Sequence, residues 1–442
     1  MIPADLIAAQ QRRTGVYLPS PADTAWIAPA FELVLGRAAK RRTSMGFAPS
    51  ARQESGDLIT YSGEGHLITF APTGTGKTSG PVICNALRHP GQLIVLDMKG
   101  EVYAATAQAR RAMGQNIHVL DLRDDAPTDS LNPLDLAARS GTDPSAIARS
   151  FAAEIIERGE NERDRFWNDW AETMITGGVA WLLADKPKYK CSLSGLFDLF
   201  NHEDVICALA GCLDTEQAKN RAARAAFSGF LQLSERETRP SVLGSTQTHL
   251  RLFDSDLARR LTDSTSIDID ALIAGEPLSI YIIVPPLRLG AYRPLLRLWL
   301  SGILLAITQR KSAPQARTLM LCDEIGNLGR IDALLMAVTL MRSWGLTLWS
   351  FWQNVAQLQI YGAQANTLVD NAAVIQAFGV RNRRMAQDFV NLIGNVSPEE
   401  MMNLAPDHQM LLIEGKALRC RQVRYYEESP GLARCRASAK GL

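Results

Sequence analysis

An α/β fold with a mainly parallel, twisted sheet, interrupted by an all-α insertion, is what this sequence predicts, on three observations. Short β-branched runs alternate with helical patterns from His66 onward. A glycine-rich turn joins the first of these strands to a helix. The alternation then lapses over residues 141–264, where alanine, glutamate and arginine rise and no strand pattern is visible.

Taken in order, residues 1–55 form an N-terminal segment. Its longest apolar run, "AWIAPAFELVL", is broken by Pro29 and Glu32, and a basic cluster follows from Arg37 to Arg42. That cluster suits a solvated helix end better than a lipid or DNA contact. "HLITFA" reads as a buried strand and the residues after Lys77 as a helix; "QLIVLD" (Gln92–Asp97) is the next strand, then come a helix over Tyr103–Met113 and the strand "NIHVLDL". Asn132-Pro133-Leu134 stops the pattern. In the insertion, Phe166, Trp170, Met174 and Trp181 recur near helical spacing. Strands resume with "LSIYIIV", "RTLMLCD", "LTLWSFWQ", "AVIQAF" and "HQMLLIEG". The expected division is an N-terminal segment (1–55), one nucleotide-binding domain from 56–140 and 265–425, the all-α insertion (141–264) and a polar tail (426–442).

Composition narrows the function classes. With 47 basic and 46 acidic residues the chain has no global basic coat, so any nucleic-acid surface is local. Seven scattered cysteines show neither CxxC nor Cys/His spacing, which argues against a zinc or dithiol site and for a reducing compartment. No run approaches the roughly 20 apolar residues of a membrane helix, so a soluble chain is expected.

The chemistry sits in two stretches. "APTGTGKTS" (71–79) follows a strand and opens a helix, the setting of a phosphate-binding loop, although Ala71 stands where the strict pattern has glycine. Pro72, Thr73, Gly74, Thr75, Gly76, Lys77, Thr78 and Ser79 would wrap the phosphates. The glycines turn backbone N–H groups inward, Lys77 reaches the β- and γ-phosphates, and Thr78 offers a hydroxyl to Mg²⁺. Alanine at the first position is tolerable if no positive φ is needed there. "RTLMLCDEIGNLG" ends a strand in adjacent acids: Asp323 to hold the metal, Glu324 to orient and deprotonate the attacking water. A glutamate beside the aspartate leans toward ATP turnover coupled to motion.

Three further features are more ambiguous. Gln353 ends the strand "LTLWSFWQ"; it either senses the γ-phosphate or is an ordinary polar terminus. Arg342 is either a finger for a neighbouring subunit's nucleotide or a helix-end cation. Asp97, Lys99 and Glu101 surround a strand-end turn, and the plain charged βα turn is the favoured reading.

Together, "HLITFAPTGTGKT", "VLDMKGEVYAATAQARRAMGQNIHVLDL", "SLNPLD", "SIYIIVPPLRLGAYRPLLRLWL", "LCDEIGNLG" and "WSFWQNVAQLQIYG" resemble successive blocks of the type IV secretion coupling proteins. These are conjugative DNA-transfer ATPases, TraG/TraD-like, of the FtsK/HerA-like P-loop superfamily. The resemblance covers roughly residues 45–420. It implies a RecA-like motor domain with an inserted all-α domain, ATP and Mg²⁺ as cofactors, and a homo-hexameric ring around a DNA channel, with monomers when isolated. Lys77, Thr78, Asp323, Glu324, Gln353 and Arg342 match the family's loop, acidic pair, strand-end glutamine and proposed arginine finger. The partners implied are single- or double-stranded DNA, relaxase and relaxosome proteins, secretion-channel ATPases and inner-membrane components. Family members usually begin with transmembrane helices, which this sequence lacks, so it is expected to be either a membrane-free member or a truncated one. The expected location is cytoplasmic, with peripheral attachment to the cytoplasmic face of the bacterial inner membrane.

The alternative is an ATP-regulated substrate receptor, with Trp167, Trp170 and Trp181 of the insertion as docking anchors, although at helical spacing they suit a core better. A small-molecule kinase fits the loop but not the acidic pair or the insertion.

Overall fold

The computed structural model describes residues 31–38, 57–156, 162–184, 190–214, 220–394 and 396–426. Most of the N-terminal segment, the basic cluster beyond Ala38 and the tail from residue 427 lie outside them. In chain order the strands are β1 (Leu33–Arg37), β2 (Leu58–Tyr61), β3 (His66–Phe70), β4 (Leu93–Asp97), β5 (Asn116–Asp121), β6 (Leu278–Ile283), β7 (Thr318–Cys322), β8 (Leu346–Trp352), β9 (Ala372–Ala377), β10 (His408–Ile413) and β11 (Lys416–Arg421). They form one sheet in the order β2-β1-β11-β10-β9-β3-β8-β7-β4-β6-β5.

The middle of this sheet, from β9 to β6, is parallel. β3, β4, β7 and β8 are buried along their whole length, which is why they read as near-continuous apolar runs rather than alternating ones. The β9-β10-β11-β1-β2 side is antiparallel. Register across the join is held by a buried polar chain. The Trp349 indole donates to Thr69 Oγ1 at 2.8 Å, Thr69 donates to Gln376 Oε1 at 2.8 Å, and Gln376 donates to Gln409 Oε1 at 2.6 Å. Gln409 then donates to the carbonyl of Leu35 at 2.6 Å. In a dry interior a one-residue slip would leave these groups unpaired, so the chain fixes alignment as well as adding bonds.

The described residues fall into two compact units: those within 1–119, 275–286 and 312–442 carry most of the sheet, and those within 120–274 and 287–311 form the other. In the second, every described element from Pro133 to Ala274 is helical, and the helix Leu289–Ile307 belongs to it. Its centre is the helix Glu162–Leu182, whose Gly177 and Gly178 permit close approach. A Cβ on the first would come within 2.5 Å of Ala226, and on the second within 2.5 Å of Leu196. Trp181 is 1% exposed and part of this core, whereas Trp167 and Trp170 are half-buried. Asn132 caps the helix Pro133–Arg139 by accepting from the Leu134 N–H, with Pro133 at the first helical position, so "SLNPLD" starts a helix. Among the described residues no helix is long and apolar enough to cross a membrane.

Candidate nucleotide site

In an open parallel sheet, ligands gather where the strands end. The loop after β3, Asp97 at the end of β4, Asp323 after β7 and Gln353 after β8 all lie on that carboxyl edge, and β8 sits between β3 and β7. Gln353 therefore stands between the loop and the acids.

Gly74 and Gly76 take φ values of 81° and 97°, a region that L side chains rarely adopt. Ala71 is not among the positive-φ residues and is fully buried, so a methyl there costs no backbone strain. Its carbonyl receives the Lys77 ammonium at 2.8 Å. The Thr75 hydroxyl closes the turn on the Pro72 carbonyl at 2.6 Å. Beyond Lys77 the helix opens with a π-turn over Thr78–Val82, because Gly80 departs from helical ψ ahead of Pro81; regular helix follows over Ile83–Arg88.

The acid pair divides into two arms. Asp323 Oδ2 accepts from the Thr78 hydroxyl at 2.9 Å, while Asp323 Oδ1 is buried with no hydrogen-bond partner. Burial raises its pKa to about 6, against the opposing pull of Lys77 and the Thr78 bond. Glu324 turns the other way. It adopts left-handed φ 51°, ψ 38°, an uncommon conformation for a non-glycine residue. Its Oε1 lies 3.9 Å from Lys77 Nζ, and its Oε2 accepts from Asn327 at 3.0 Å. Burial also lowers the Lys77 pKa, with the charges of Asp323 and Glu324 partly restoring it.

Asp97 serves the fold locally: its carboxylate accepts from the N–H groups of Lys99, Gly100 and Tyr103, opening the helix Glu101–Ala112. Arg342 lies where β8 begins, roughly 20 Å along the strand from Gln353 at a rise of about 3.3 Å per residue. It is 64% exposed and pairs with Glu64 at 3.7 Å. It therefore does not join the Lys77 group of its own chain.

Two arginines that no motif flagged approach the loop. Arg381, after β9, donates to the Thr73 carbonyl at 2.7 Å. Arg424, after β11, lies against Gly76. Arg381 could have been sought because it follows a strand at the same sheet edge; Arg424 follows an antiparallel strand and carries no sequence signal.

A parallel sheet with a strand–loop–helix phosphate cradle and an acid pair two strands away defines a RecA-like P-loop fold. The profile of the family described as Type IV secretory system Conjugative DNA transfer matches residues 34–397, and the chain belongs to that family. It is 24% identical over 396 residues to the conjugal transfer protein TraG of Escherichia coli, covering 83% of this chain and 61% of TraG. It is 24% identical over 411 residues to VirD4 of Agrobacterium fabrum, covering 84% of this chain and 60% of VirD4. The chain thus spans 61% and 60% of the length of these curated relatives. The solved structure of the plasmid coupling protein TrwB in complex with ADP and Mg²⁺ aligns with a TM-score of 0.60 at 15% identity, covering 89% of this chain and 95% of that one.

Proposed function

We propose that this chain is an ATP-hydrolysing coupling protein that recruits DNA, as a relaxase-bound single strand, and drives it toward a type IV secretion channel. The observation that carries the reading is the divided acid pair. Asp323 is bonded to the loop hydroxyl Thr78, while Glu324 is turned beside Lys77. A metal arm and a water arm flanking one lysine suit hydrolysis rather than transfer to a small acceptor.

The residues fit Mg²⁺. The unpartnered Oδ1 of Asp323 and the hydroxyl of Thr78 are the hard oxygen donors such an ion takes. When bound it would neutralise charge on the phosphate oxygens. Lys77 would counter the β- and γ-phosphates, and loop N–H groups would hold the chain of phosphates in place. Glu324, kept apart from Asp323 by its left-handed turn, would orient a water and take its proton. Gln353 would hydrogen-bond the γ-phosphate or that water. Arg342, exposed at the far sheet edge, would serve the nucleotide of a neighbouring copy in a homo-hexameric ring. The ring would work on the cytoplasmic side of the inner membrane beside channel ATPases and relaxosome proteins.

Lys77→Ala should abolish nucleotide binding, whereas Glu324→Gln should bind ATP within about threefold of wild type and turn it over at least about 100-fold more slowly. Nucleotide titration with single-turnover assays reads both. Wild-type turnover by Glu324→Gln in the presence of DNA would remove the water-activating role.

One observation favours a receptor reading: Phe166 is 51% exposed and stacks edge-on to Trp167 at 4.9 Å on the helical unit. ATP turnover indifferent to DNA would support it.

A further inference from the structure

After β11 the chain crosses the start of the phosphate loop's helix as a strap, Gln422–Tyr426, which is tied down at three points. The Tyr425 N–H donates to the Ser79 carbonyl at 3.1 Å. The Val423 carbonyl lies where a Cβ on Gly80 would come within 2.9 Å, so only glycine admits it. Third, the Arg424 guanidinium lies flat on Gly76. A Cβ built there would be 3.1 Å from Cζ and from Nη1, and 3.2 Å from Nη2.

Arg424 is half-buried, yet its hydrogen bonds go to neutral acceptors of the strap itself. Nη1 donates to Tyr426 Oη at 3.1 Å and Nη2 to Gln422 Oε1 at 3.5 Å. Among the described residues no carboxylate pairs with it, in contrast to Arg88, Arg123, Arg259, Arg288 and Arg421. A partly desolvated cation without an anion, held against a loop built to receive one, is a site waiting for negative charge.

The position selects which charge. Gly76 belongs to the part of a phosphate loop whose backbone N–H groups face the α- and β-phosphates, while Lys77 reaches the β/γ end. We propose that Arg424 is a nucleotide-binding residue supplied by the same chain, donating from its guanidinium to the α/β-diphosphate of the bound nucleotide. Tyr426 is the positioning residue that orients it. The inference rests on the nucleotide reading of the loop and adds a second cation at the end of the phosphate chain that Lys77 does not reach. Because the α/β-diphosphate is common to ATP and ADP and unchanged by hydrolysis, the contact acts on binding rather than on the chemical step.

The test is titration of ADP, ATP and inorganic pyrophosphate, each with Mg²⁺, into wild type, Arg424→Ala, Arg424→Lys, Tyr426→Phe and Lys77→Ala, alongside steady-state ATPase assays. Arg424→Ala should weaken all three ligands about tenfold, with KM raised and kcat within about twofold. Lysine should restore part of the affinity, and Tyr426→Phe should give a smaller loss of the same kind. An unchanged thermal midpoint without ligand separates these effects from unfolding of the strap. The assignment is overturned if Arg424→Ala binds ADP as wild type does while Lys77→Ala does not, and the nucleotide reading then survives. It is also overturned if ADP weakens but pyrophosphate does not, which would move the contact to the nucleoside. A wild-type protein that binds none of the three overturns both.

Discussion

Asp323 and Glu324 are neighbours in the chain but occupy different surroundings. One is buried at 7% exposure with a raised pKa, and the other faces Lys77 from a left-handed turn. Buried histidines set a second residue-scale effect. Burial lowers the pKa of His66 to about 4 and of His89 to about 3, with the charges of Arg317 and Arg110 adding to it. Both are depressed below the unfolded value. Their contribution is therefore full above about pH 6.5 and is lost as pH falls through about 4 for His66 and about 3 for His89, on the order of 3–5 kcal/mol each. Asp323 works in the opposite direction, because its raised pKa adds stability as pH falls below about 6. The histidine effect is thus read as a difference. Between pH 7.5 and 4.5, His66→Gln should lose about 2 kcal/mol less stability than wild type in denaturant titrations. Equal losses would mean that His66 is protonated in the folded state. At this scale the sequence made the loop and both acids legible, since each sits at a strand end with a required chemical type. It gave no sign of Glu324's backbone conformation or of Arg424, which depend on the tertiary path alone.

The elements were legible where burial is two-sided. β3, β4, β7 and β8 announce themselves as apolar runs. β1, β2 and β11 do not. β2 has four half-buried residues, and β11 exposes Lys416, Ala417, Leu418 and Arg419, leaving no period to read. β1 lies within an apolar stretch broken upstream by Pro29. What aligns this antiparallel side is the buried chain from Trp349 through Thr69 and Gln376 to Gln409 and Leu35. Gln376→Leu should cost roughly 2–4 kcal/mol, because it removes three bonds, to Thr69, Gln409 and the Leu35 carbonyl, and leaves the Thr69 hydroxyl proton and Gln409 Oε1 without a partner in the interior. Calorimetry or denaturant titration would check this, and a loss under about 0.5 kcal/mol would mean that the chain adds nothing to register.

For the whole molecule, near-equal numbers of acids and bases mean that the proposed hold on DNA is local and made through phosphates. The helical insertion was legible as a shift in composition. That the helix Leu289–Ile307 clusters with it was not, because its apolar pattern reads like any helix between two parallel strands. On the proposed function, hydrolysis at Lys77, Asp323 and Glu324 is coupled to DNA. This coupling is tested most directly by the ATPase rate of the purified chain with and without single-stranded DNA, at low and high salt and with channel and relaxosome partners present. DNA should stimulate hydrolysis, with stimulation that fades as salt rises and vanishes in Glu324→Gln. Hydrolysis at the same rate with and without DNA under all these conditions would contradict it.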